Sequence, residues 1–275
     1  MKKFLLFASI ILLSLILVMA VCVIVVSRSM VHVRLPHGAV LHVLPHHRDI
    51  QTGGAVIICP GGGYSYLEKW YEGYNWFPYF YLHGYTPAML EYRMPKHDYN
   101  IPMTDGAEAI RVMRKHAEEW HFNEHNVGIV GFSAGGHLAS TMMVMDNDSV
   151  RPDFGILFYS VISMKKELTH IDSHHQLLGE DASEQLENRF SNELHVSENT
   201  PPAFIAVAND DKAVSPRNSV LFRDAMYAKN RPVELHVYPS GGHGWASHLT
   251  AKYRGQVLED LAEWLSNRQE ELKCH

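Results

Sequence analysis

The sequence is poor in cysteine and lacks an excess of basic residues. Its 275 residues include only Cys22, Cys59 and Cys274, which are too few for a disulfide framework and whose spacings match no zinc-binding pattern. The 24 lysines and arginines against 30 aspartates and glutamates give a formal net charge of −6, which excludes a global attraction to nucleic acid. Charged residues make up 20% of the chain and hydrophobic residues 46%, so a disordered chain is also excluded.

One segment near the amino terminus contains no charge at all. Lys2 and Lys3 precede residues 4–26, a run of 23 uncharged and mostly apolar residues, and Arg28 closes it. The run exceeds the apolar region of a usual signal peptide and is long enough for a membrane-spanning helix. Val18-Met19-Ala20 also offers a small-residue cleavage site.

Two interpretations of this segment stay open, a cleaved export signal and an uncleaved membrane anchor. In both, the basic residues before the run favour a cytoplasmic amino terminus, so the rest of the chain lies outside the cytoplasm. We expect residues 1–29 to form this export segment, with membrane attachment through residues 4–26 if it is not cleaved. The predicted location is periplasmic, cell-surface or secreted, and residues 30–275 are predicted to form one domain.

From residue 30 onward, apolar runs of strand length alternate with helix-like segments. The predicted strands are 31–33, 40–44, 55–59, 86–92, 127–130, 154–162, 204–208 and 233–238. The predicted helices are 105–120, 135–145, 219–229 and 249–265. This alternation predicts an α/β fold with a mostly parallel central sheet and helices on both faces.

Two local patterns refine this prediction. Asp105 followed by Glu108 has the spacing of a capping box, which predicts that the first of these helices begins there. The stretch 164–202 has no clear periodicity and lies between two predicted strands, so we interpret it as an insertion and not as a domain.

The sequence Gly131-Phe132-Ser133-Ala134-Gly135 has the nucleophile-elbow pattern G-x-S-x-G. It follows the predicted strand 127–130 and leads into the predicted helix 135–145, which is the strand–turn–helix setting that the pattern requires. Glycines on either side of the serine relieve crowding at a sharp and strained turn. Ser133 is therefore the predicted catalytic nucleophile.

A serine nucleophile needs a histidine base and a carboxylate that orients it, and in this kind of fold they follow the serine as acid, then histidine. Asp210 and Asp211 come directly after the strand 204–208, at the carboxyl end where doubly wound sheets place their sites. His243 lies between glycines on the loop after the last predicted strand. This location distinguishes His243 as the predicted base.

The chain contains 19 histidines, and most are predicted to have no catalytic role. His236, within a strand, and His248, near the closing helix, are interpreted as structural. The pairs His46-His47 and His174-His175 lack the carboxylate-rich helical spacing of a metal site, so we expect solvated loops and no metal.

Acyl attack produces an oxyanion that requires preorganised N–H donors. Ala134, directly after the predicted nucleophile, supplies one candidate N–H. The loop Pro60-Gly61-Gly62-Gly63-Tyr64 supplies others, because its glycines let the backbone approach a substrate closely. Neither a following Gly-Lys-Ser/Thr nor a G-x-G-x-x-G spacing is present, so a phosphate-binding loop is excluded.

Four motifs follow one another along the chain: Cys-Pro-Gly-Gly-Gly-Tyr from Cys59, Gly-Phe-Ser-Ala-Gly-Gly-His from Gly131, Asp-Asp-Lys-Ala-Val from Asp210 and Gly-Gly-His-Gly-Trp from Gly241. Together they resemble the α/β-hydrolase superfamily, and within it the bacterial esterases related to acetyl-xylan and feruloyl esterases. The resemblance covers most of the chain after about residue 30. It implies an α/β-hydrolase catalytic domain over residues 30–275 that works without a cofactor.

The resemblance also implies specific roles. The triad would be Ser133, Asp211 and His243, with Asp211 preferred to Asp210 because Asp-x-x-Val is the spacing of the family. The oxyanion donors would be Gly62 or Gly63 together with Ala134. Cys-Pro precedes the glycines where His-Gly often does, so the sequence resembles the hormone-sensitive-lipase esterases less. The same difference leaves both Gly62 and Gly63 as candidate oxyanion donors.

Aromatic residues concentrate beside the glycine run, where 11 of the chain's 29 lie between Tyr64 and Tyr85. Exposed aromatic rings stack on sugars, but four of these residues have helical spacing and are predicted to pack against the sheet. These four are Trp76, Phe77, Phe80 and Tyr81. The predicted substrate contacts are Tyr64 and Trp245.

The motifs and the resemblance leave three candidate functions. The first is a serine carboxylesterase that removes acetyl or related acyl groups from an oligo- or polysaccharide such as acetylated xylan. The second is a serine peptidase of the prolyl-oligopeptidase type, which is disfavoured because no long amino-terminal propeller is present. The third is a non-catalytic surface binding protein on a hydrolase scaffold, against which the intact order of serine, aspartate and histidine argues.

Overall fold

The computed structural model describes residues 29–47 and 53–273. The predicted export segment, Cys22 and Cys274 lie outside these residues. In the part of the chain that is described, no helix combines the length and apolar character needed to span a membrane.

Eight strands and seven α-helices alternate along the described chain. The strands are β1 (Val31–Arg34), β2 (Val40–Val43), β3 (Gly54–Cys59), β4 (Tyr85–Glu91), β5 (Val127–Phe132), β6 (Phe154–Phe158), β7 (Ala203–Ala208) and β8 (Val233–Tyr238). The helices are α1 (Phe77–Leu82), α2 (Asn100–Lys115), α3 (Ser133–Val144), α4 (Ile171–Leu178), α5 (Glu184–Arg189), α6 (Arg217–Ala228) and α7 (Arg254–Lys273). Each of the eight predicted strands and four predicted helices is present, with ends that differ by up to eight residues.

The strands form one sheet in the order β1-β2-β4-β3-β5-β6-β7-β8. The hairpin β1–β2 is antiparallel and β2 also runs antiparallel to β4, whereas every later pair is parallel. In the centre, Ile57 of β3 pairs with Ala88 of β4 and with Ile129 of β5. The prediction of a mostly parallel sheet is therefore confirmed, and the parallel strands bring their carboxyl ends to one edge.

The core has two halves, one on each face of the sheet. Along β3, Ala55, Ile57 and Cys59 pack into one half, while Val56 and Ile58 pack into the other. Such burial on both faces is what a short continuous apolar run in a parallel sheet predicts. Helices α2, α3 and α6 contribute apolar side chains to the first half, and α1 and α7 contribute to the second, which confirms helices on both faces.

The predicted capping box at Asp105 is wrong. Helix α2 begins five residues earlier, at Asn100, and Asp105 is buried inside it. Its carboxylate accepts a hydrogen bond from the Arg93 backbone N–H at 2.9 Å. It also forms an ion pair with the Arg93 guanidinium, at 2.7 Å. The acid is therefore used to attach the helix to the chain after β4, a long-range contact that the local spacing does not reveal.

Two other predicted ends move for local reasons. Strand β6 stops at Phe158 instead of continuing to residue 162, because Tyr159 adopts a left-handed backbone with φ of 37°. Helix α7 begins at Arg254 instead of residue 249, after a short 3-10 turn at Trp245–Ser247.

The aromatic segment behaves largely as its helical spacing predicts. Trp76, Phe77 and Phe80 are buried in the half of the core that α1 covers. Tyr81 is partly buried, and its ring stacks on the ring of His46 at a centroid distance of 3.6 Å. His46 is itself buried, so the expectation of a solvated loop at this histidine is wrong.

The predicted insertion 164–202 follows β6 in the chain and contains α4 and α5. His174 of α4 is fully buried, and its Nε2 is 3.0 Å from Oε1 of Glu187 in α5. The expectation that His174 lies in a solvated loop is therefore also wrong, since the side chain joins the two helices of the insertion.

Candidate active site

Ser133 lies on the sharp turn between β5 and α3, and its backbone has φ of 52°. A residue other than glycine adopts this left-handed conformation only where its surroundings hold it there, and such strain concentrates at functional sites. The turn also needs its glycines, since a Cβ at Gly135 would collide with the carbonyl oxygens of Cys59 and Pro60. The structure thus places Ser133 in the geometry that the elbow pattern requires.

The structure brings Ser133, His243 and Asp211 into one hydrogen-bonded line. Ser133 Oγ is 2.9 Å from His243 Nε2, and His243 Nδ1 is 2.8 Å from Asp211 Oδ2. Because an ionised carboxylate only accepts hydrogen bonds, Nδ1 carries the proton and Nε2 is left to accept from the serine hydroxyl. This arrangement allows His243 to take the serine proton.

Asp211 is held independently of the histidine. Its Oδ1 accepts hydrogen bonds from the backbone N–H groups of Ala213 at 2.9 Å and Val214 at 3.0 Å, and the side chain is buried. The adjacent Asp210 is exposed and instead accepts a hydrogen bond from the Gly242 N–H at 2.8 Å. Asp211, and not Asp210, therefore contacts the histidine.

The glycine loop after β3 lies beside the serine. The N–H of Gly61 donates to Glu72 Oε2 at 2.8 Å, so this group is already engaged. Gly62 and Gly63 adopt φ of 121° and 63° and line the same pocket as Ser133.

Ala134 lies in the first turn of α3, where N–H groups have no acceptor within the helix. The loop and the helix start thus border the space where an oxyanion would form, and the choice between Gly62 and Gly63 stays a prediction.

A cavity of about 480 Å³ opens at Ser133 and His243. Besides these residues and the two glycines, the side chains that give the cavity its aromatic and polar character are Tyr66, Glu68, Tyr71, Glu72, His170, Asp172, Ser247 and His248. Sequence reasoning missed most of them, because His170 and Asp172 come from the insertion and Glu72 lies in a run of aromatic residues. His248, predicted to be structural, is at the rim, where its ring contacts Tyr71 at a centroid distance of 5.6 Å.

The two predicted substrate contacts are corrected by the structure. Tyr64 is fully buried, and its hydroxyl bonds to His137 Nδ1 at 2.9 Å beneath the glycine loop. Trp245 is 1% exposed and packs on Tyr238 at a centroid distance of 4.7 Å. Neither ring lines the cavity, so both belong to the core that supports the site.

Burial shifts the pKa of several titratable groups around the site. Burial raises the pKa of Glu72, against the opposing effects of hydrogen bonds from Tyr159 and Gly61 and of the nearby His243. Burial lowers the pKa of His170, and Asp172 opposes that change. Burial also lowers the pKa of His137 to about 4, so this histidine is neutral near physiological pH.

No group of three or more histidine, cysteine, aspartate or glutamate side chains within residues 29–47 and 53–273 is arranged to hold a metal ion. Cys59 is a free, buried thiol at the end of β3.

The sequence matches the BD-FAE family model over residues 43–226. It is 39% identical over 220 residues to an acetylxylan esterase from Xylanibacter ruminicola, a match that covers 78% of this chain and 46% of that protein. It is 34% identical over 215 residues to endo-1,4-beta-xylanase B from Butyrivibrio fibrisolvens, covering 72% of this chain and 33% of that protein. The chain thus spans less than half the length of these relatives.

Solved structures have the same architecture. The acetyl ester-xyloside bifunctional hydrolase from Caldicellulosiruptor lactoaceticus superposes with a TM-score of 0.76 and 30% identity, covering 84% of this chain and 89% of that one. A sugar hydrolase from Lactococcus lactis superposes with a TM-score of 0.76 at 24% identity, covering 88% of this chain and 99% of that one. The α/β-hydrolase fold and the resemblance to esterases of carbohydrate are confirmed, and the chain belongs to the BD-FAE family.

Proposed function

We propose that this protein is a serine carboxylesterase that removes acetyl or related acyl groups from a carbohydrate such as acetylated xylan. The observation that carries the proposal is the line from Ser133 through His243 to Asp211, with hydrogen bonds of 2.9 and 2.8 Å. The line ends on a strained serine at the mouth of a cavity, which is the arrangement of an acyl-transfer site.

In the proposed reaction, Ser133 Oγ attacks the acyl carbonyl carbon while His243 Nε2 takes the serine proton. The oxyanion that forms faces the N–H of Ala134 and of Gly62 or Gly63. As the C–O bond to the sugar breaks, His243 returns the proton to the sugar oxygen and the acyl group remains on Ser133. Water then attacks the acyl-enzyme, gives its proton to His243, and releases the carboxylic acid as the serine is restored.

The substrate class is supported by the relatives and by the cavity. One relative is named an acetylxylan esterase and one structural neighbour an acetyl ester-xyloside hydrolase. At the cavity, the rings of Tyr66 and Tyr71 are 60% and 54% exposed. Aromatic rings beside hydrogen-bonding side chains such as Asp172 suit a sugar, which has apolar faces and hydroxyl edges.

We also propose that the enzyme acts outside the cytoplasm. The support is the apolar run 4–26 with basic residues before it, and a polysaccharide substrate is consistent with this location. Cell fractionation, together with amino-terminal sequencing of the mature protein, tests the proposal and separates a cleaved signal from an anchor. Recovery of the intact chain from the cytosol would contradict it.

Hydrolysis of three substrates side by side tests the reaction. We expect acetate release from acetylated xylan and turnover of p-nitrophenyl acetate, and loss of both in Ser133→Ala. Aminoacyl-naphthylamides should be poor substrates. Peptide turnover well above ester turnover would show that the protein is a peptidase and not an esterase. Inactivity of the folded wild-type protein on all three substrates would refute both enzyme functions.

A further inference from the structure

Glu72 is a buried carboxylate in the wall of the cavity, and the proposed acyl transfer does not use it. Its side chain is 6% exposed and borders the same space as Ser133 and His243. Burying a carboxylate is costly unless both oxygens accept hydrogen bonds. A negative charge beside an oxyanion would also oppose the formation of that oxyanion. The burial of Glu72 at this position therefore needs a structural or functional explanation.

Each oxygen of Glu72 contacts a different part of the site. Oε2 accepts a hydrogen bond from the Gly61 N–H at 2.8 Å, in the loop that continues into Gly62 and Gly63. Oε1 accepts a hydrogen bond from the Tyr159 hydroxyl at 2.9 Å, at the end of β6. The carboxylate therefore connects the glycine loop to the far side of the site.

The direction of this hydrogen-bond chain follows from its ends. The Trp76 Nε1–H can only donate, and its acceptor is Ser247 Oγ at 3.1 Å. Ser247 Oγ and the Tyr159 hydroxyl oxygen are 3.2 Å apart. Because the Tyr159 proton is donated to Glu72, the Ser247 proton is donated to Tyr159. Every donor in the chain thus points toward the carboxylate, and each polar atom along it is satisfied.

The same chain reaches the catalytic histidine. Ser247 lies four residues after His243, in the short turn that ends the histidine loop. The ring of Tyr159 meets the ring of His243 edge-on, at a centroid distance of 4.9 Å. Tyr159 has a left-handed backbone, a conformation that persists only where the surroundings hold it. Its bond to Glu72 is one such support.

We propose that Glu72 is a positioning residue for acyl transfer, which fixes the glycine loop through Gly61 and the face of His243 through Tyr159. With the Gly61 N–H held, the N–H of Gly62 or Gly63 is set toward the oxyanion before substrate arrives. The inference rests on the proposed serine-esterase function.

The test compares Glu72→Gln with a matched control. Glutamine has nearly the same shape but only one oxygen, so it can accept only one of the two hydrogen bonds. If that oxygen accepts from Gly61, the amide N–H faces Tyr159 and the direction of the hydrogen-bond chain has to reverse. Glu187→Gln changes an equally buried carboxylate, 8% exposed, that lies in the insertion and not in the cavity. For each protein we would measure kcat and KM with p-nitrophenyl acetate, inhibition by a trifluoromethyl ketone, and the thermal unfolding midpoint.

In Glu72→Gln we expect kcat to fall by about tenfold or more, by analogy with the loss of one oxyanion donor, with little change in KM. Affinity for the trifluoromethyl ketone, whose adduct places an oxyanion in the hole, should fall in parallel. Glu187→Gln should keep the wild-type kcat even if it unfolds at a lower temperature. Tyr159→Phe should act in the same direction, and its effect should not add fully to that of Glu72→Gln.

Wild-type kcat and inhibitor affinity in folded Glu72→Gln would overturn the inference, as would full additivity with Tyr159→Phe. If Glu72→Gln does not fold, Tyr159→Phe carries the same comparison, and an unchanged kcat there overturns the inference. Failure of the wild-type protein to hydrolyse any ester is a different result, because it removes the proposed function and this inference with it.

Discussion

Asp210 and Asp211 are adjacent and chemically identical, yet their carboxylates contact different partners. Asp211 is buried against His243, whereas Asp210 is exposed and accepts a hydrogen bond from the Gly242 N–H. The order of acid and histidine along the chain limited the predicted acid to these two residues, and the Asp-x-x-Val spacing implied by the family resemblance favoured Asp211. Which of the two aspartates faces the histidine depends on the turn after β7, where Asp211 Oδ1 accepts from Ala213 and Val214.

Replacing Asp211 should therefore damage the reaction far more than replacing Asp210. In Asp211→Asn, an amide N–H would face His243 Nδ1 and favour the wrong tautomer, so we expect kcat to fall by about 10³–10⁴-fold. Asp210→Asn is the control and should change kcat only slightly. Steady-state kinetics with p-nitrophenyl acetate measures both, and comparable losses in the two variants would contradict the assignment.

His137 should make stability depend on pH. It is fully buried between the Tyr64 hydroxyl and the Phe190 carbonyl, and burial lowers its pKa from 6.5 to about 4. Between these values the unfolded chain binds a proton that the folded chain does not, so stability falls as the pH falls from 6.5 to about 4. The contribution is about 3 kcal/mol of unfolding free energy across that window.

Urea unfolding at several pH values measures this dependence. His137→Gln should be less stable near neutrality but should lose less stability on acidification than the wild type. The control is His125→Gln, at a histidine side chain that is 83% exposed, and it should keep the wild-type slope. Equal slopes in His137→Gln and the wild type would show that His137 does not titrate as described.

At the scale of elements, the turn between β5 and α3 was predictable and the insertion was not. The turn is recognisable from a short motif, because its glycines pack against the backbone of neighbouring segments such as Cys59 and Pro60. The insertion lacks periodicity, and the contacts that order it are long-range ones such as the buried pair of His174 and Glu187. For the same reason, the burial of Tyr64 and Trp245 could not be predicted from their positions beside the motifs.

A Cβ at the elbow should be poorly tolerated. Gly135→Ala would press a methyl group against two carbonyl oxygens, so we expect the free energy of unfolding to fall by about 1–3 kcal/mol and activity to drop. In α7, Gly255 has nothing within 4 Å of the position of an added Cβ. Gly255→Ala should therefore be neutral or stabilising by about 0.4–1 kcal/mol. Chemical denaturation compares them, and equal stability of the two variants would contradict the close packing of the elbow.

The insertion should determine how the sugar is bound. Asp172, in the first turn of α4, borders the cavity together with His170. In Asp172→Asn we expect KM for acetylated xylo-oligosaccharides to rise about tenfold, the cost of weakening one charged hydrogen bond, with little change for p-nitrophenyl acetate. Asp181→Asn, an exposed aspartate outside the cavity, is the control. Equal changes in KM for both substrates would show that Asp172 of the insertion does not recognise the sugar.

For the domain as a whole, the alternation of strands and helices along the chain predicted the sheet but not the order of its strands. Strand β3 lies between β4 and β5, and β2 reaches across to β4 in the antiparallel sense. Apolar runs specify which segments are buried, whereas the neighbour of each strand depends on the direction of every crossover. The arrangement that results places three separate loops, carrying Ser133, Asp211 and His243, at one edge of the sheet.

We expect these three residues to form a working acyl-transfer site with Ser133 as nucleophile. The most direct measurement is labelling of the folded protein with a fluorophosphonate, followed by mass spectrometry of the labelled peptide. We predict one adduct, on Ser133, that is absent in Ser133→Ala and forms much more slowly in His243→Ala. Folded wild-type protein that stays unlabelled, or that is labelled equally well after Ser133→Ala, would contradict the account.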